Sequence, residues 1–148
     1  MVRYIVVAVL CMTVLALVLY LLAHRHAATQ DPNPAPGLVN GCDRASAVSQ
    51  TGKDEVEIGF GGPFGYRYEP SCIAVSVGCA VKFVGNFAAH PLAPGTINRG
   101  EVAVDERNPI LPTVAGGEAL FVAPEPGMYG YYCDKHVGEA MIGAVFVE

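Results

Sequence analysis

From Val56 onward the chain is a succession of short apolar runs of five or six residues, cut by Gly, Pro and Asn. Val56–Phe60, Cys72–Val77, Ala80–Val84, Glu118–Val122, Met128–Tyr132 and Ile142–Val147 all read as strands, and no helical period runs through this region. Several alternate cleanly. Val81 and Phe83 share one face while Lys82 points away, and Ile73, Val75 and Val77 do the same. Val77–Ala80, "VGCA", reads as a hairpin turn, with Gly78 free to take the backbone angles a tight turn needs. Many short strands in about a hundred residues predict an all-β, Greek-key β-sandwich. Thr96–Gly117, rich in Pro and Gly, is expected to add one or two further strands.

Ahead of this region lies a segment of a different kind. Tyr4–Ala23 runs for twenty residues without a charge, about 30 Å as a helix, which matches the hydrocarbon core of a bilayer. A secretory signal has a shorter apolar core of about 7–15 residues, so residues 1–23 read as a membrane anchor, with a cleaved signal as the alternative. Under either reading the remainder is exported, facing the periplasm or the cell exterior. Residues 24–41 hold three prolines within five residues and read as an extended tether. The globular domain is then expected over 42–148. It carries 7 Lys+Arg against 13 Asp+Glu, an acidic balance that excludes nucleic acid as a partner and favours a basic one.

On a sandwich the loops at one end carry function, and two loops stand out. "GNFAAHPLAPG", Gly85–Gly95, leaves one strand, and "YYCDKHVGEAM", Tyr131–Met141, joins the last two. Of four histidines in the chain, His24 and His26 lie in the tether, so the folded part has only His90 and His136, one in each loop. Taken singly, Met141 is ordinary core, Cys133 half of a disulfide and His90 a loop residue. Taken together, two imidazoles, one thiolate and one thioether are the donor set of a mononuclear blue-copper centre. Soft sulfur suits Cu(I) and imidazole suits Cu(II). His90, Cys133, His136 and Met141 are therefore the expected metal ligands. Pro91 restricts the backbone of His90 to extended angles. Zinc would leave Met141 unexplained, a covalent haem needs C-x-x-C-H where this loop has C-x-x-H, and a Cys133 nucleophile lacks an evident oxyanion site.

These two blocks resemble the small cupredoxins, the plastocyanin, amicyanin and halocyanin group. "YYCDKHVGEAMIGAVFV" is similar to their copper loop and last strand, and "YEPSCIAVSVGCAVKFVGNFAAHPLAPG" to the segment bearing their first histidine. The resemblance covers roughly Val56–Glu148 and implies one type 1 copper ion on His90, Cys133, His136 and Met141. It implies an electron carrier rather than an enzyme, exchanging one electron through the exposed edge of His136. Leu92, Ala93, Pro94, Val137 and Ala140 are candidates for an apolar patch around that edge. The acidic surface suits a redox partner such as a basic cytochrome c. Two departures stand out: Pro91 follows His90 where many relatives have Asn, and Lys135 stands where plastocyanins often have proline.

With Cys133 on copper and Cys11 in the apolar segment, Cys42, Cys72 and Cys79 remain. Cys42–Cys72 is the expected disulfide, with Cys42–Cys79 as the alternative. Rival functions are a membrane-tethered copper carrier or chaperone, the copper subunit of a terminal oxidase, and a plain adhesion sandwich. The oxidase site needs a second cysteine in the loop, and position 137 is Val.

Overall fold

A computed structural model describes residues 38–98 and 100–148. The anchor expected over Tyr4–Ala23, and the tether as far as residue 37, lie outside the described residues. Among the described residues no helix is long and apolar enough to cross a membrane.

The described residues form eleven strands: β1 (Val48–Ser49), β2 (Glu55–Phe60), β3 (Tyr68–Glu69), β4 (Cys72–Val75), β5 (Ala80–Val84), β6 (Leu92–Pro94), β7 (Thr96–Asn98), β8 (Glu101–Ala103), β9 (Glu118–Val122), β10 (Gly127–Cys133) and β11 (Ile142–Val147). They build a five-stranded sheet in the order β1-β4-β11-β10-β6, a four-stranded sheet in the order β3-β2-β5-β9, and the two-stranded ribbon β7-β8. All six strands expected from the apolar runs are present, and the Pro- and Gly-rich segment contributes β7 and β8. The architecture is an all-β sandwich.

The turn at Ser76–Cys79 forms, with the Cys79 N–H donating to the Ser76 carbonyl (3.1 Å) and Gly78 at φ 86°. It does not close a hairpin. The Val77 N–H donates to the carbonyl of Glu148 (3.1 Å), the Gly78 N–H to that of Ala123 (2.8 Å), and β4 and β5 belong to different sheets. The turn is a corner between the two layers. Its local residue chemistry is the same as that of a hairpin; only the strand partners differ.

Alternation places the core. Val56, Ile58 and Phe60 from β2, Val81 and Phe83 from β5 and Phe121 from β9 meet Ile73 and Val75, Tyr129 and Tyr131, and Val145 and Val147 from the other sheet in one buried cluster. At its centre Tyr131 packs edge-on against both Phe83 (5.0 Å) and Tyr68 (4.9 Å). The five-stranded sheet is covered on its outer face as well. Val39, Cys42, Ala74, Ala144 and Phe146 form a second buried cluster there, which is why β11 is buried on both faces. The folded body therefore takes in Val39 and Asn40, ahead of Cys42. A disulfide joins Cys42 to Cys72 with Cα atoms 5.5 Å apart, the pairing expected from the sequence; Cys79 is buried and free.

Removing a buried aromatic ring from such a core costs about 3–5 kcal/mol. Phe83→Ala is expected to lower the unfolding free energy by that amount in a denaturant titration. Leu120→Ala, at an exposed position, is expected to change it by less than about 0.5 kcal/mol.

Candidate metal centre

The loop carrying His90 is set by its own side chains. The Asn86 carboxamide oxygen accepts from the N–H groups of Ala88 (3.0 Å) and Ala89 (3.3 Å), and its main-chain carbonyl accepts from His90 N–H (2.9 Å). Phe87, fully buried, packs on Phe60 (4.8 Å) and anchors this turn in the core. The chain then runs into β6, where Leu92 pairs with Cys133 at the end of β10.

The second loop folds back on itself after Cys133. The His136 N–H donates to the Cys133 carbonyl (3.1 Å), and Val137–Glu139 form a single 3-10 turn. Ala140 takes left-handed angles (φ 57°), which lets the Met141 N–H reach the His136 carbonyl (3.1 Å). The Cys133 N–H in turn donates to the Met141 carbonyl (2.9 Å). Met141 and Cys133 are fully buried.

These paths bring three of the four expected residues to one point. Nδ1 of His136 lies 3.1 Å from Nδ1 of His90 and 3.2 Å from Sγ of Cys133. All three donor atoms lie within 4.8 Å of one another. Imidazole nitrogens bind a first-row divalent ion at about 2.0–2.1 Å, so two of them at a near-tetrahedral angle stand roughly 3.3 Å apart. The observed spacing fits donors around one ion. The main chain of Met141 is hydrogen-bonded to both Cys133 and His136, and its side chain is buried in the core cluster that also holds Cys133.

Burial is the first cause of the electrostatic shifts here. It holds His90 below the usual imidazole range, with His136 and Lys135 adding to the effect, which favours the neutral ring, the form that can bind a metal. Burial pushes the Cys133 thiol up, opposed by the main-chain N–H groups of Lys135 and His136, which favour the thiolate.

A third loop completes the site, and nothing in the sequence singled it out. Tyr66 lies stacked on His136, with ring centroids 4.4 Å apart and planes 23° apart, and remains 56% exposed on its other face. Gly61 (φ 67°) passes so close to His90 that a Cβ there would stand 3.1 Å from the ring. The edge of His136 is thus half-buried and shared with Tyr66. The expected apolar patch divides: Leu92 and Pro94 are buried in β6, Ala93 and Val137 are half-buried, and Ala140 is exposed. Leu92 and Pro94 belong to the packing because β6 is paired to β10. Lys135 is exposed, yet its ammonium donates to the Ala88 carbonyl (2.8 Å), linking the two histidine loops.

Residues 55–148 match the family described as copper binding proteins, plastocyanin/azurin family. The chain is 33% identical over 82 residues to the plastocyanin of Prochlorothrix hollandica, covering 55% of this chain and 63% of that protein, less than two-thirds of its length. Among solved structures, a pseudoazurin from Sinorhizobium meliloti is 26% identical, with 64% of this chain and 73% of that chain covered and a TM-score of 0.47. A pseudoazurin from Methylobacterium extorquens AM1 is 25% identical, with 64% and 75% covered and a TM-score of 0.44. The family match spans both histidine loops, the cysteine and the methionine: the chain belongs to the plastocyanin/azurin family of copper-binding proteins, and its cofactor is copper.

Proposed function

We propose that this protein is a type 1 copper electron carrier whose ion would be held by Nδ1 of His90, Sγ of Cys133 and Nδ1 of His136, with the Met141 thioether as a weaker fourth donor. The observation that carries this reading is the convergence of those three donor atoms from two remote loops. Copper, when bound, supplies a one-electron couple between Cu(I) and Cu(II).

The chain's own residues do the rest. Cys133 and Met141 keep their sulfur out of water, and the main-chain bonds among Cys133, His136 and Met141 hold the loop in one conformation. Donors held this firmly have little room to reorganise when the charge changes. His136 is the donor with a solvent-facing route, and Tyr66 lies flat against it. The stacked pair is the exit for an electron. A copper chaperone would need exposed, exchangeable donors, so the burial of Cys133 and Met141 favours electron transfer over hand-over of the ion.

The partner is a redox protein with a basic docking face, such as a cytochrome c. The outward face of the four-stranded sheet supports this: Glu55, Glu57, Glu69 and Glu118 are exposed there around the single Lys82. The Cys42–Cys72 disulfide supports an oxidising, exported location, with residues 1–23 as anchor or signal, a tether from residue 24 that ends before Val39, and a copper domain that runs from Val39 to Glu148.

Adding Cu(II) to the purified protein is expected to produce an intense blue absorption that Cys133→Ser abolishes; a pale wild-type protein overturns the reading. Tyr66→Ala is expected to keep the colour but slow electron exchange. The slowing is measurable by stopped-flow mixing with a redox partner. Raising ionic strength is expected to slow the reaction with a basic partner, and a flat salt profile argues against electrostatic steering.

A further inference from the structure

One side chain outside the two histidine loops touches the chain next to every strand that delivers a donor. Asn40 is buried, and its amide nitrogen lies 2.9 Å from the carbonyl oxygens of both Tyr131 and Gly143 and 3.1 Å from that of Gly95. Its oxygen accepts from the Ile97 N–H at 2.7 Å. Three carbonyls on one side and an N–H on the other leave no ambiguity about which end of the amide is which. Tyr131 and Gly143 face each other in the β10–β11 register. Tyr131 shortly precedes Cys133, Gly143 shortly follows Met141, and Gly95 closes β6, the strand entered from His90.

The surroundings are shaped to admit this amide. A Cβ on Gly130 would stand 2.5 Å from the Gly95 carbonyl oxygen and 3.1 Å from the Asn40 nitrogen, so a side chain there would displace it. Asn40 (φ 51°) and Gly41 (φ 74°) are the central residues of a tight turn in which Val39 and Cys42 exchange both main-chain hydrogen bonds (3.0 and 2.8 Å). Asn-Gly is the pair that such a turn demands. Cys42 then fastens the turn to Cys72, at the head of β4, through the disulfide.

We propose that Asn40 is a positioning residue for the metal centre: its amide fixes β6, β10 and β11 relative to one another, and the Cys42–Cys72 bridge holds it in place. The inference rests on the copper site proposed above. Asn40→Asp keeps the shape and the acceptor for Ile97 but turns the donor into an oxygen facing three carbonyls. In full-length protein this variant is expected to lose roughly 10–100-fold in copper affinity, the range found for groups that orient ligands from outside the coordination sphere, and to shift the reduction potential. In the metal-free protein it is expected to speed amide exchange at Tyr131–Cys133 and Gly143, leaving β2 and β5 unchanged.

The control is Val147→Ala, a core truncation at the far end of β11. Affinity, potential and exchange equal to wild type in Asn40→Asp overturn the proposal. So does an equal loss of affinity in the control at the same loss of stability. Should Asn40→Asp fail to fold, the Cys42→Ser/Cys72→Ser double variant, which frees the turn, is expected to show the same changes, and unchanged values there overturn it. If wild type itself takes up no copper, the copper reading falls, and exchange in the metal-free protein alone decides whether Asn40 holds the strands.

Discussion

Strand β10 is hydrogen-bonded along both edges, to β6 on one side and β11 on the other, and the site depends on that double pairing. The register sets Leu92 opposite Cys133 and Ile142 opposite Tyr132. The chain leaving His90 and the chain arriving from Met141 are thereby brought to the two flanks of the cysteine at one level. A slip of one residue in β10 would send Cys133 to the outer face and Tyr131 out of the core. The aromatic packing of Tyr131 against Phe83 and Tyr68 opposes that slip, so a packing interaction deep in the sandwich holds the geometry of a site at its end.

Pro91, directly after His90, has no side chain that can hydrogen-bond, and the two loops are braced by other contacts. The Pro91 carbonyl accepts from the Asp134 N–H (3.0 Å), directly linking the two histidine loops. The Lys135 ammonium spans the same gap to Ala88. Both links end on main-chain oxygens, so they depend on loop path more than on side-chain identity. Asn86 sets that path locally by folding the turn ahead of His90.

Strands with clear alternation were legible in the sequence because burial on one face leaves a period of two. Ala80–Val84, Glu118–Val122 and Ile142–Val147 occur with the expected limits. Strands of two or three residues, such as β1, β3 and β6, are too short to show a period. The Val77–Ala80 turn misled because a corner between sheets and a hairpin use the same residues. The cluster of His90, Cys133 and His136 was legible because these residue types are scarce and chemically distinctive. Asn40 and Tyr66 were not. Asn40 sits among tether-like residues, where its Asn-Gly turn reads as loop, and Tyr66 follows a run of glycines with no period to place it. Their roles come from long-range contacts that no local pattern encodes.

The phenol ring over His136 bears on which molecules can discharge this carrier. A small dissolved oxidant approaching from that side meets the flat face of Tyr66 before it meets the imidazole, with Gly61 drawn tight against the neighbouring ring. A large surface that can lie against the phenol gains contact area there, whereas dioxygen or a peroxide gains almost none. Under the proposed carrier role, the aromatic cover that would join His136 to a chosen recipient also insulates it from leakage into bulk solvent.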